Sequence, residues 1–246
     1  MLISKPTGAP NRPETLDLSI VLPTYCEADN MPRLIPRLFA RLGDLGTRTE
    51  VIVVDDASPD GTAQRARELS ETYPIRVIER HDVRGLASAV LAGFAHAQGA
   101  VCVVMDADGS HPVEAVPPLV DGVLSGRADI AVGSRLATGG GFGGAQLWEK
   151  AKSRFAAFFA RGLTSLSDPT SGFMAVRREL VDELELDPIG WKIVLEVVVK
   201  AAPRPFVEVP IVFGPRVAGT SKQSPRVFWQ YLRHLHRLRM WRKGRA

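Results

Sequence analysis

Cysteine is nearly absent: Cys26 and Cys102 are the only two in 246 residues. Both fall in or beside apolar strand-like runs, which excludes a disulfide framework and sets the expectation of a reducing, cytoplasmic location. No run approaches the roughly 18 consecutive apolar residues that a membrane-spanning helix needs. The first 17 residues carry Pro6, Pro10 and Pro13 but no apolar core of the signal-peptide kind, and read as a flexible leader. Internal repeats and low-complexity linkers are missing as well. Acids are missing from one place in particular. Residues 223–246 contain seven basic residues (Arg226, Arg233, Arg237, Arg239, Arg242, Lys243 and Arg245) and no Asp or Glu. Of 31 basic and 27 acidic residues, 24 basic and 27 acidic remain for the rest of the chain, a balance of −3 beneath a total of +4. A basic tail on a slightly acidic body points to a local anionic surface, such as the face of a membrane, and away from nucleic acid.

What is present is an ordinary globular composition, 45% hydrophobic and 24% charged, enough for one substantial core. Strand-like runs at 18–22, 51–54, 75–78, 101–105 and 130–132 alternate with helical patterns at 31–45, 62–72, 86–97 and 113–124. Such alternation predicts a parallel sheet with right-handed crossovers, the first half of a doubly wound α/β domain. Five glycines within 138–144 predict a loop long enough to serve as a lid. Further helices are expected at 148–163, 177–184 and 191–201, a short segment at 172–176 and a strand at 206–212. A final helix is expected at 227–241, with Val227, Phe228, Tyr231, Leu232, Leu235, Leu238 and Trp241 on one stripe. That stripe, flanked by cations without acids, predicts an amphipathic helix lying on a membrane. The organisation is thus a leader over 1–17, a main domain over 18–222 and a basic amphipathic helix over 223–246.

The most informative stretch is Val101-Cys102-Val103-Val104-Met105-Asp106-Ala107-Asp108. A buried-type strand ends in two carboxylates spaced i, i+2, on one side of an extended backbone. Ligands of open α/β sheets bind where strands leave the sheet, and two hard oxygen donors there suit Mg²⁺ or Mn²⁺ shared with a diphosphate. An Asp-x-Asp turn is the plainer reading. The first two strands end in Pro23-Thr24-Tyr25-Cys26-Glu27 and in Val54-Asp55-Asp56-Ala57-Ser58-Pro59-Asp60-Gly61-Thr62, on the same sheet edge. In structural terms, Tyr25 could belong to the core and Asp55 could cap its turn.

With these motifs the chain resembles the family 2 glycosyltransferases of the GT-A type, and within them the polyprenyl-phosphate (dolichol-phosphate) mannose synthases. The resemblance runs from Leu18 to Lys222. Its more selective part is Gly133-Ser134-Arg135, Trp148, Ser167-Asp168-Pro169-Thr170-Ser171-Gly172-Phe173, Glu196, and Glu208-Val209-Pro210-Ile211-Val212-Phe213 with Arg216, Gly219, Ser221 and Lys222. It implies a Rossmann-like, mostly parallel sheet flanked by helices. It further implies that Pro23, Tyr25, Glu27, Val54 and Asp56 line a nucleoside pocket, with Arg84 steadying the nucleotide at a helix start. Asp106, Ala107 and Asp108 would hold the diphosphate through Mg²⁺ or Mn²⁺, with Ser110 where a Gln often stands as a third ligand. Arg135, Lys152, Arg216 and Lys222 would form the cationic acceptor side. Cys26 replaces the usual Asn, which reads as a packing change at a strand end. Lys152 stands where Arg is common, and Ala156-Ala157 where a Ser-Arg pair is. His111 is given no proton-transfer role.

The residue types on the acceptor side favour a phosphate. A hydroxyl acceptor needs a general base, whereas a phosphomonoester is largely dianionic at neutral pH and needs only positive charge to hold it. The expected reaction is inverting transfer of mannose from GDP-mannose to a polyprenyl phosphate at the cytoplasmic membrane face, with a separate membrane-anchoring partner left open. The alternatives are a cytosolic transferase using UDP-glucose or UDP-GlcNAc and a hydroxyl acceptor, with Asp168 or Glu196 as base, and a catalytically silent membrane-surface module.

Overall fold

The computed structural model of the chain describes residues 16–143, 147–214 and 225–244. The expected leader falls largely outside them, as do Arg216, Gly219, Ser221 and Lys222. In chain order the elements are β1 (Leu18–Thr24), α1 (Met31–Leu42), β2 (Thr49–Asp55), α2 (Thr62–Leu69), β3 (Ile75–Glu79), α3 (Leu86–His96), β4 (Val101–Val104), α4 (Val116–Leu124) and β5 (Ile130–Ser134). There follow β6 (Gly141–Phe142), α5 (Leu147–Ala160), β7 (Met174–Arg177), α6 (Arg178–Glu183), α7 (Ile193–Ala201), β8 (Phe206–Pro210), β9 (Val212–Phe213) and α8 (Pro225–Lys243).

Strand alternation builds the layers. On β1, Leu18, Ile20 and Leu22 face one side and pack with Leu34, Ile35 and Leu38 of α1 and Leu119 and Val120 of α4. Val21 faces the other, against Val90 and Phe94 of α3. Each such fully buried aliphatic contributes about 1.5–3 kcal/mol. α3 can sit directly on β1 because residue 93 is glycine, where a Cβ would come within 2.3 Å of Val21 Cγ1.

The seven-stranded sheet has the order β3-β2-β1-β4-β7-β5-β8. β1, β2, β3 and β4 are parallel, but β7 runs antiparallel to both β4 and β5. The expected parallel sheet is therefore interrupted by one strand from the second half, which closes the gap beside the Asp106 turn. The expected loop at 138–144 also needs correction: Gly141–Phe142 is a short strand paired with β9. The strand expected at 206–212 is broken at Ile211 into β8 on the main sheet and β9 on this ribbon.

The largest departure concerns α8. Tyr231, Leu235 and Leu238 are buried against Leu195 and Val199 of α7 and Ala160 of α5, with Leu232 packed alongside. These four of the seven residues expected to enter a membrane belong to a third core cluster. Phe228 of the same stripe stays exposed, as do Trp229 and Met240 on α8 and Phe155 and Phe158 on α5.

Candidate active site

Strand order reverses its direction of growth between β1 and β4, and the turns that leave these strands face one another across a cavity of about 350 Å³. Pro23, Tyr25 and Glu27 line it from β1, Asp56 from β2, Arg84 and Gly85 from the start of α3, and Asp106, Ala107 and Asp108 from β4. These are the expected nucleotide residues with one exception. Val54 is fully buried in the core with Val21 and Val90, because alternation along β2 turns it inward.

The turns that follow β1 and β2 are laced together. The backbone N–H groups of Cys26, Glu27 and Ala28 donate to Ser58 Oγ (2.9 Å), Thr62 Oγ1 (2.8 Å) and Asp60 Oδ2 (3.1 Å). Burial pushes the Asp60 pKa up, but the hydrogen bonds from Thr62 and Ala28 outweigh it and leave the group below its ordinary value. Asp55 is the turn cap, accepting from Thr24 Oγ1, Ser58 N–H and Ser58 Oγ–H. Cys26 is exposed, with φ +62°. The replacement of Asn is therefore no packing change: the position needs a left-handed backbone, which Asn adopts more readily than Cys. Asp56 is held by Arg80, through Nε at 2.8 Å and a close Nη2 contact, and by the Gly85 N–H at 2.7 Å. Gly85 takes φ +140° to present that N–H. Arg84 lies over the Tyr25 ring at 5.5 Å, which puts a cationic and aromatic pair on the cavity wall.

On the opposite wall, Asp108 is fixed from behind. Its Oδ1 accepts from the Ser110 N–H (3.0 Å) and Ser110 Oγ–H (2.5 Å), and Ser110 is fully buried. Ser110 is accordingly a support for Asp108 and not a third ligand facing the cavity. Asp106 is held by its backbone N–H, which donates to His111 Nδ1 at 2.9 Å. That bond makes Nδ1 an acceptor and the ring neutral. Burial depresses the His111 pKa, opposed by Asp106 and Asp108, and the ring stacks on Phe173 at 4.8 Å. Among the described residues no group of three His, Cys, Asp or Glu side chains gathers for a metal. Two hard carboxylates on a cavity wall nevertheless fit Mg²⁺ or Mn²⁺, which take their remaining ligands from phosphate and water.

The second half contributes an ion pair, Arg135 with Asp168, neither of which lines the cavity itself. Arg135 donates to Asp168 through Nε (2.6 Å) and Nη2 (2.8 Å), and through Nη2 to Thr170 Oγ1 (2.7 Å). Its guanidinium lies over the rings of Phe142 and Phe213, which the pairing of β6 with β9 brings side by side. Asp168 is fully buried. Burial raises its pKa, yet the Arg135 hydrogen bonds and charge hold it below the usual carboxylate value. Glu196 sits elsewhere, beneath α8, with Lys200 Nζ at 2.6 Å and the Asp187 N–H at 2.8 Å. Lys152 is exposed on α5 and does not line the cavity. Sequence reasoning missed Arg80, Trp191 and Lys192. Trp191 lines the cavity, and Lys192 donates to Thr170 O at 2.9 Å.

A nucleotide-sized cavity at the switch point of a mostly parallel sheet, with an Asp-x-Asp turn on one wall and an antiparallel strand inserted beside it, defines a GT-A sugar-nucleotide transferase fold. The chain belongs to the glycosyl transferase family 2, whose family model matches residues 19–185. It is 42% identical to the dolichol-phosphate mannosyltransferase of Pyrococcus furiosus over 92% of its length, spanning 64% of that relative. It is 37% identical to the dolichol-phosphate mannosyltransferase of Saccharomyces cerevisiae, covering 94% of this chain and 90% of that one. A solved mannosyltransferase from Pyrobaculum calidifontis, in complex with GDP-Man and Mn²⁺, superposes with a TM-score of 0.63 over 97% of this chain and 67% of its own. At 20% identity that likeness speaks for the fold alone.

Proposed function

We propose that this chain transfers mannose from GDP-mannose to a polyprenyl phosphate, with inversion at the anomeric carbon. The observation that carries the reading is the state of the two carboxylates a hydroxyl acceptor would need. Asp168 is buried and paired with Arg135, and Glu196 is buried and paired with Lys200. Neither is placed to take a proton from a substrate. A phosphomonoester requires no such step. One of its oxygens forms the bond to the anomeric carbon, the bond from that carbon to the diphosphate breaks, and the electron pair leaves with GDP. The dolichol-phosphate mannosyltransferase names of relatives at 37–42% identity support the same donor and acceptor. Asp106 and Asp108 would hold the divalent ion, which supplies positive charge for the departing diphosphate. Tyr25, Asp56, Arg84 and Gly85 bind the nucleoside side, and Arg135 orders the acceptor side. A labelled-donor panel of GDP-mannose, UDP-glucose and UDP-GlcNAc, with a short polyprenyl phosphate or the corresponding alcohol and with Mg²⁺ or Mn²⁺, tests donor, acceptor and metal together. Transfer from GDP-mannose alone is expected, and transfer to an alcohol but not to the phosphate would overturn the reading.

A lipid acceptor calls for a membrane surface, and no helix of the described residues is long and apolar enough to cross one. The reading therefore includes peripheral attachment through the exposed aromatic group on α5 and α8. Phe155 and Phe228 stack at 6.1 Å, Trp229 is 70% exposed, and Arg161 lies over Phe158 at 5.3 Å. Aromatics interleaved with cations match an anionic interface, at about 1 kcal/mol per basic residue. Wild type should sediment with anionic vesicles and be released by salt. A Phe155→Ser/Phe158→Ser/Trp229→Ser variant should lose this while still using a water-soluble short-chain acceptor. Equal sedimentation of the two would remove this face from the mechanism.

A further inference from the structure

We propose that Lys192 is an acceptor-binding residue, its ammonium contacting the phosphomonoester beside the anomeric carbon; the inference rests on the lipid-phosphate reading above. Arg135, the obvious candidate, is already neutralised. Its Nε and Nη2 are bound to Asp168, and Nη2 also meets Thr170 Oγ1. The pair contributes shape and order but little net charge.

Thr170, which closes that pair with its hydroxyl, offers its carbonyl to Lys192 Nζ at 2.9 Å on the other side. An ammonium carries three N–H donors, and this is the one bond they make among the described residues. Lys192 stands at the N-terminus of α7, next to Trp191, which lines the nucleotide cavity. The loop it anchors continues to Gly172, where a Cβ would lie 3.9 Å from Asp106 Oδ1. Lys192 thus sits between the Asp-x-Asp turn and the Arg135–Asp168 pair, near the charges of Asp106, Arg135 and Asp168. Crowding by protein atoms, with the Arg135 charge adding to it and Asp168 and Asp106 opposing, brings its pKa down to about 8. A cation whose charged form is disfavoured in this way gains from the arrival of a dianion.

The test compares wild type with Lys192→Met and Lys192→Arg by steady-state kinetics and by calorimetric titration with a short-chain polyprenyl phosphate, after checking Tm. Loss of one charge-assisted contact should weaken acceptor binding about ten- to hundredfold in Lys192→Met. KM for GDP-mannose should stay within about twofold, and Lys192→Arg should recover most of the loss. Unchanged acceptor binding in Lys192→Met overturns the inference. So does an equal rise in donor KM, which would place the ammonium on the leaving diphosphate. Wild-type binding of the lipid phosphate that Lys192→Met loses, without mannose transfer, would uphold Lys192 while refuting the proposed reaction. Absence of binding by wild type would refute both.

Discussion

Asp108→Asn is expected to lower mannose transfer about 10²–10³-fold, equivalent to roughly 3–4 kcal/mol of transition-state stabilisation, while leaving Tm almost unchanged. Asparagine keeps the Oδ1 acceptor that the Ser110 N–H and hydroxyl use, so the turn retains its hydrogen bonds. What disappears is one negative charge on the cavity wall and with it a hard ligand for Mg²⁺ or Mn²⁺. Asp106→Asn should do similar or slightly less harm, since Asp106 is held through its backbone by His111 and its side chain keeps partial exposure. Initial rates across a metal titration check the idea, together with calorimetric titration of Mn²⁺ in the presence of GDP. Near-wild-type turnover by Asp108→Asn, or full activity in EDTA, would detach the Asp-x-Asp turn from the chemistry.

The lining of the cavity was legible because its residues stand in strand-end turns, and parallel strands bring such turns to one edge. Pro23, Tyr25, Glu27, Asp56, Arg84, Asp106, Ala107 and Asp108 all line the cavity. Arg80 was hidden by its place one residue past β3, although the end of that strand lies on the same edge and its partner Asp56 was in view. The direction of β7 was not legible, since periodicity reports which face a side chain takes and not which way a strand runs. Nor was the partner of α8. A stripe at i, i+3/i+4 is the same pattern whether it meets lipid or, as Tyr231, Leu235 and Leu238 do, the side chains of α5 and α7. Lys192 precedes an apolar helix, a setting in which a lysine ordinarily reads as a solvated end. Only the fold of the loop from Asp168 to Gly172 reveals what it touches.

That loop carries the second large effect. Asp168→Asn should destabilise the protein by about 3–5 kcal/mol, because it strands the Arg135 guanidinium in a site where only 13% of its side chain meets solvent. For a chain of this size the loss corresponds to a Tm roughly 6–20 °C lower. The sign with pH follows from the depressed pKa of Asp168. Its stabilisation is present above the ordinary value of 3.8 and is lost as pH falls through the lower folded value. The gap between wild type and variant should therefore be constant from about pH 5 to 8 and close only in stronger acid. A carboxylate acting as general base would behave otherwise: Asp168→Asn would abolish turnover at temperatures where the variant remains folded. An Arg135→Met/Asp168→Asn double variant separates the two, since removing both charges should return much of the stability that the single change loses. Thermal unfolding of the three variants at pH 4–8, with turnover measured well below each Tm, decides between them. A single variant as stable as wild type, with turnover gone, would make Asp168 the base and restore the hydroxyl acceptor.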